Sequence, residues 1–411
     1  MILFLLLSNL YAQIISPQAV EVNFKLESEF VTESDEDPEY LADTQLQHLF
    51  GMLHSPEFVE SFGLSFEKVE GAGGLQIPAK IKVLTYAEDE KDYIIRYRAS
   101  GVFLLQKDIA KKLLKAGGLT LPMPYLLDQF YQKKCTDSYY SSFGDFWYFY
   151  DPFRKGCEKF GQEPLARDVF ITITERTNKK YELKPDLKTI RGDNGNGNKL
   201  VISMLNGYAD TSRTPDDEGR VTFDEINQYL IESGFKQKRL RRLETSPMYL
   251  YEKDIETADG VIKVQIERLL VDTDITAGSK VFAKYFKSAM ENSDVIIYSG
   301  HSGLGANLDI PSIEAKAGVI HFNQKKKQIA YFDSCSSYSY YLSTFRDIKR
   351  RSKIDIITNG LNSYFGSASD VHLALLNHIL DVDSSPTWLK ILTDMEAPLD
   401  GATYLLNVGG I

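Results

Sequence analysis

Two rhythms of apolar and polar residues divide the chain near its middle. In the first half, residues 79–85, 92–98 and 168–174 alternate or are rich in Val, Ile and Tyr, and this period of two predicts strands. Residues 41–54 and 109–116 carry their apolar positions at helical spacing. Residues 20–191 are therefore predicted to form a β-rich α+β domain. In the second half, short apolar runs alternate with amphipathic stretches. Residues 199–206, 294–299, 328–332 and 354–358 read as buried strands, and 223–233, 279–290, 336–349 and 370–380 as helices. Near-continuous apolar strands separated by helices are what parallel strands with crossover connections require. Residues 199–411 are thus predicted to be an α/β domain built on a mostly parallel sheet.

Turn chemistry marks the joints. Gly192-Asp193-Asn194-Gly195-Asn196-Gly197-Asn198 cannot sit inside a helix or strand and is read as the linker between the halves. It leads into an apolar run rather than opening a helix, which excludes a phosphate cradle. Residues 248–251 and 261–271 flank Asp259-Gly260, a pair suited to a type I′ turn, so an inserted hairpin is expected.

Composition changes the picture in three ways. The 43% hydrophobic and 25% charged content is that of a globular chain, and the 47 basic against 57 acidic side chains leave a net charge of −10, which disfavours nucleic acid as a partner. No apolar stretch reaches the roughly 20 residues of a membrane-spanning helix. The first twenty residues carry no charged side chain, and the apolar run from Ile2 to Leu7 precedes a small Ala12, so residues 1–12 read as a secretory signal and the protein as extracytoplasmic, periplasmic or secreted. Among three cysteines, Cys135 and Cys157 flank an aromatic stretch (Tyr139, Tyr140, Phe143, Phe146, Trp147, Tyr148, Phe149 and Tyr150) and are expected to pair, leaving Cys335 as the free thiol.

Several charged segments invite chemistry. The run from Thr214 to Glu225 partly fits a calcium loop, with Asp216, Glu218, Gly219, Val221 and Glu225 at template positions, but Thr214 stands where Asp belongs. The competing account is a capping box, with Thr222 as N-cap and Glu225 reaching back. No other cofactor is suggested. The basic run Phe235-Lys236-Gln237-Lys238-Arg239-Leu240-Arg241-Arg242 reads as a solvated face, with anion binding or proteolytic processing as alternatives, and the acidic residues 33–39 read as a solvated loop. The pairs His48/His54 and His372/His378 are six apart, about 120° around a helix, which is poor spacing for a metal.

Two strand ends carry the strongest signal. Tyr298-Ser299-Gly300-His301-Ser302-Gly303 and Phe332-Asp333-Ser334-Cys335 each follow a buried-strand run, and in parallel sheets the ligand crevice lies beyond the carboxyl ends of strands. Neighbouring strands would bring His301 and Cys335 together as general base and nucleophile. A helix beginning at Ser336 would favour the thiolate of Cys335. Ser302, Gly303 and the Cys335 N–H are candidate oxyanion donors, and Asp333 is a candidate carboxylate for selecting Arg or Lys in the substrate.

With these strand ends and the opening Asn206-Gly207-Tyr208, the second half of the chain resembles the caspase-like cysteine peptidases, most of all metacaspases and their bacterial relatives. The resemblance implies a caspase-like sheet with helices on both faces, a His301/Cys335 dyad, Asp333 as part of the primary specificity pocket, and a protein or peptide substrate. Two positions depart from the family, which has Gly where Ser302 stands and, in metacaspases, His where Ser336 stands. Two alternatives stay open. Gly300-His301-Ser302-Gly303 partly matches the nucleophile elbow of a serine hydrolase using Ser302, and an inactive relative or envelope binding protein would use the aromatic, disulfide-tied region instead.

Overall fold

The structure, a computed structural model, describes residues 14–130, 135, 150–157, 164–176, 182–193, 197–212, 214–258, 260–274, 279–349 and 352–410. The expected signal segment 1–12, the aromatic residues 139–149, residues 194–196 of the Gly/Asn run and Asp259 lie outside the described residues.

The alternating first half forms an antiparallel sheet. Its strands are β1 (Ala19–Thr32), β2 (Gly73–Leu75), β3 (Lys80–Asp89), β4 (Asp92–Gln106), β5 (Gly118–Pro124) and β6 (Ala166–Glu175). The order is β2-β4-β1-β6-β5, with β3 also on β4. β1 was not among the predicted strands, yet Val22, Phe24 and Leu26 alternate into one core, and it pairs with β4 from Ala19↔Gln106 to Thr32↔Tyr93. The helix Pro38–Leu53 covers that core; Asp37 caps it by accepting from the N–H groups of Glu39 and Tyr40. Cys135 and Cys157 form a disulfide and are buried in the same core beside Tyr150. A bridge across 22 residues restricts the unfolded chain, so replacing both cysteines with Ala is expected to cost about 3 kcal/mol. Urea denaturation of the double variant beside wild type checks this.

The second half forms an eight-stranded sheet from β7 (Lys199–Gly207), β8 (Lys236–Arg241), β9 (Met248–Thr257), β10 (Gly260–Val271), β11 (Val295–Ser299), β12 (Gln328–Asp333), β13 (Ile354–Thr358) and β14 (Asn407–Gly409). The order is β14-β13-β12-β11-β7-β10-β9-β8. β10, β7, β11, β12 and β13 are mutually parallel, while β14 and the β9 hairpin strand run against their neighbours. Alternate residues go to opposite faces. Val295, Ile297, Ile329 and Tyr331 meet the helices Glu218–Glu232, Phe365–Leu380 and Trp388–Glu396 on one side. Ile296, Tyr298, Ala330 and Phe332 meet Lys280–Asn292 and Leu342–Ile348 on the other. Burial on both faces is why these strands are apolar throughout.

Three local expectations are corrected. The helix after β7 begins at Glu218, with Asp217 as its cap, and Thr222 sits inside it donating to the Phe365 carbonyl at 2.8 Å. The capping box therefore fails, and so does the calcium loop, because Glu218, Gly219, Val221 and Glu225 lie at helical spacing and cannot encircle an ion. Among the described residues no group of three or more His, Cys, Asp or Glu is arranged to hold a metal. The helix predicted over 336–349 is broken at Tyr341 into Ser337–Tyr340 and Leu342–Ile348. The basic run, read as a solvated face, forms the edge strand β8, where Lys236, Lys238 and Arg239 are exposed and discourage edge-to-edge pairing and Arg241 is half-buried.

The two sheets are tied together. Ile15 exchanges backbone hydrogen bonds with Val408 of β14, Ile77 N–H donates to the Ser339 carbonyl at 3.1 Å, and Tyr338 donates to the buried Glu21 at 2.9 Å. No helix among the described residues is long and apolar enough to cross a membrane.

Candidate active site

β11 and β12 lie side by side with Ser299 opposite Asp333, so His301 and Cys335 each stand two residues beyond adjacent, parallel strand ends. Both line one cavity of about 160 Å³, together with Gly300, Asp333, Glu218 and Phe365. Gly300 N–H donates to the Asp333 carbonyl at 3.1 Å and holds the two strand ends together beyond the ladder.

His301 is exposed, its ring edge-on to Phe365 at 5.4 Å. Its Nε2 lies 2.7 Å from the Ala209 carbonyl. A carbonyl only accepts, so Nε2 carries the hydrogen and, in the neutral ring, Nδ1 is the atom left to take a proton. Ala209 is itself held by the Asp217 carboxylate, which accepts from the N–H groups of Ala209 (3.1 Å), Asp210 (2.8 Å) and Arg220 (3.1 Å). A side chain on Gly219 would stand 2.0 Å from the Gly207 carbonyl, so glycine there lets the first helical turn rest on the end of β7 and seats Glu218 at the cavity.

Cys335 is half-buried, with Sγ 3.8 Å from the Ser363 carbonyl. Burial pushes its thiol pKa up, and the Asp333 charge adds to the rise. This reverses the thiolate expected at a helix start, because the helix that follows has a single turn and its dipole is too small to offset desolvation. Ser336 turns the chain in the left-handed region at φ 52°. Its hydroxyl meets His54 Nε2 at 3.4 Å, and Tyr364 in the cavity wall donates to Glu70, so the first half of the chain reaches both the thiol loop and the cavity wall.

Asp333 is 3% exposed. Its carboxylate accepts from His372 Nε2 (2.8 Å), Asn359 Nδ2 (2.9 Å) and Ser299 Oγ (3.4 Å). It therefore lines the cavity while already engaged by the framework. Ser302 and Gly303 are not in the cavity wall: the Ser302 carbonyl accepts from Tyr341 at 2.7 Å, and Gly303 opens a short 3-10 turn at φ 55°. That turn is kinked at Leu304 and Gly305, unlike the helix a serine nucleophile elbow needs, and Ser302 is buried at 7%. Sequence reasoning did not assign Ala209, Asn359, His372 or His54 to the site, since each acts through a contact distant in the chain, nor Asp217, whose capping contacts are local.

Burial also holds His48 and His54 neutral, with pKa values lowered to about 3 and about 4 from 6.5. The unfolded chain takes up protons below about pH 6.5 while the folded rings do not, so their contribution to stability is complete above that pH and declines as pH falls towards the folded values. The urea midpoint is expected to drop between pH 7 and pH 4.5, and His48→Phe with His54→Phe is expected to flatten that drop.

No protein-family model matches the chain, and no curated protein matches it. Among solved structures it is similar to a secreted C11 cysteine protease from Bacteroides thetaiotaomicron, "iotapain", at 10% sequence identity and a TM-score of 0.24, over 43% of this chain. The match spans 57% of that protease.

Proposed function

We propose that the chain is a caspase-like cysteine endopeptidase that cleaves after Arg or Lys outside the cytoplasm. The observation that carries this reading is the opening of His301 and Cys335 onto one cavity from the carboxyl ends of neighbouring parallel strands. The Cys335 thiol gives its proton to His301 Nδ1 as sulfur attacks the scissile carbonyl. The oxyanion accepts from the backbone N–H of Cys335, His301 returns the proton to the departing amine, and water activated by the same ring hydrolyses the thioester. Because the thiol is not pre-ionised, His301 does the activating. Among its described residues the wall carries the carboxylate of Glu218, beside the framework-engaged Asp333, and no Lys or Arg, which supports a basic side chain in the pocket. The disulfide and the expected signal segment support an oxidising compartment.

The test is a peptide library incubated with wild type and with Cys335→Ala. Cleavage after Arg or Lys by wild type alone is the expected result, and a library left intact by both proteins would sink the reading. The raised thiol pKa and the Ser363 contact favour a second reading, an inert thiol in a binding protein. Under it, Cys335 is alkylated by iodoacetamide only after denaturation.

A further inference from the structure

A cavity of about 540 Å³ separates the first sheet from the helix Leu342–Ile348, which follows the thiol loop. Its floor is a patch where Asn23 pairs with Val102, and Lys25 and Lys80 both pair with Ser100, so neighbouring strands present their side chains together. Its wall brings in Arg176 from beyond β6 and Arg346 from the helix. Lys25, Lys80, Arg176 and Arg346 thus face one lining carboxylate, Asp347, which Arg346 meets at 3.1 Å. Glu21 behind the wall takes Arg176 at 2.9 Å. Counting both acids, the site keeps a net positive charge on a chain whose overall charge is −10. The Gln76 side-chain Nε2 in the same wall is buried without a hydrogen-bond partner, and Phe24, Pro78 and Val102 add apolar surface. Volume, polarity and a waiting donor are those of a small-molecule site.

We infer that this interdomain cavity binds an organic anion of small-peptide size through a carboxylate or phosphate group, and that the bound anion braces the helix behind Cys335. The mechanical link is short. Ser343 of that helix donates to the Ile77 carbonyl at 2.7 Å, Ile77 N–H donates to Ser339, and Ser339 stands four residues after the thiol. An anion bridging Arg346 to Lys25 and Lys80 would hold the two sides of that contact together by charge-assisted hydrogen bonds. The inference stands whether or not Cys335 is a catalytic nucleophile.

The experiment uses the full chain, with inorganic phosphate and tetraglutamate as probes against chloride at equal ionic strength. At about 10 mM, one or both probes are expected to raise Tm by about 2 °C or more. The double variant Lys25→Ser, Lys80→Ser alters exposed side chains and keeps the Arg176–Glu21 pair; it is expected to lose at least half of that rise. Response to phosphate alone assigns the group as phosphate-like, and response to tetraglutamate alone assigns it as a carboxylate. No rise above chloride, or an equal rise in the double variant, overturns the site. Iodoacetamide labelling of Cys335 is expected to change by about twofold or more with the effective probe in wild type only; an unchanged rate overturns the bracing.

Discussion

Cys335→Ala is expected to lower kcat/KM for peptides cut after Arg or Lys by roughly three orders of magnitude or more while leaving the fold intact. The thiol lines the cavity and makes a long 3.8 Å contact with Ser363, so removing sulfur disturbs little packing. His301→Ala is expected to cost roughly 10²–10⁴, the usual share of general acid–base catalysis. The double variant should be no worse than Cys335→Ala alone, because base and nucleophile act as a unit. The thiol sits above its ordinary pKa, so its thiolate fraction keeps growing as pH rises, and alkylation of wild type should accelerate from pH 7 to pH 9 without reaching a plateau. Equal activity of Cys335→Ala and wild type would refute the dyad.

Asp333→Ala is expected to destabilise the protein by about 3–5 kcal/mol, lowering Tm by roughly 10 °C. The substitution leaves His372 Nε2, Asn359 Nδ2 and the Ser299 hydroxyl without their acceptor in a site closed to water. Asp333→Asn keeps one carbonyl acceptor and should lose about half as much. Thermal unfolding of the two variants beside Cys335→Ala separates the roles of the neighbours: the thiol variant should melt like wild type and the carboxylate variant should not. An Asp333→Ala protein that melts like wild type yet no longer prefers Arg or Lys would show that this carboxylate serves the substrate and not the framework.

Much of the second sheet was legible because its strands are buried on both faces. Val295 to Ser299 and Gln328 to Asp333 have no exposed position, and such runs end sharply where polar residues begin. His301 and Cys335 stood out as the polar groups just past those ends. The disulfide was legible from cysteine spacing and the lone thiol left over. Boundaries set by capping were less so. Asp217 caps the helix after β7, and Thr222 resembles a cap only when its distant acceptor, Phe365, is unknown. The predicted single helix after Cys335 failed because an apolar period continues through the break at Tyr341.

Periodicity and turn chemistry are properties of neighbouring residues, so the sequence by itself determined most strands of the second sheet and which side chains wait at their ends. Strand order brought His301 beside Cys335, and contacts made across 92 and 39 residues aimed the imidazole and occupied Asp333. The thiol's raised pKa was likewise decided only in the tertiary structure, since desolvation depends on atoms that surround the sulfur in space and are far from it along the chain.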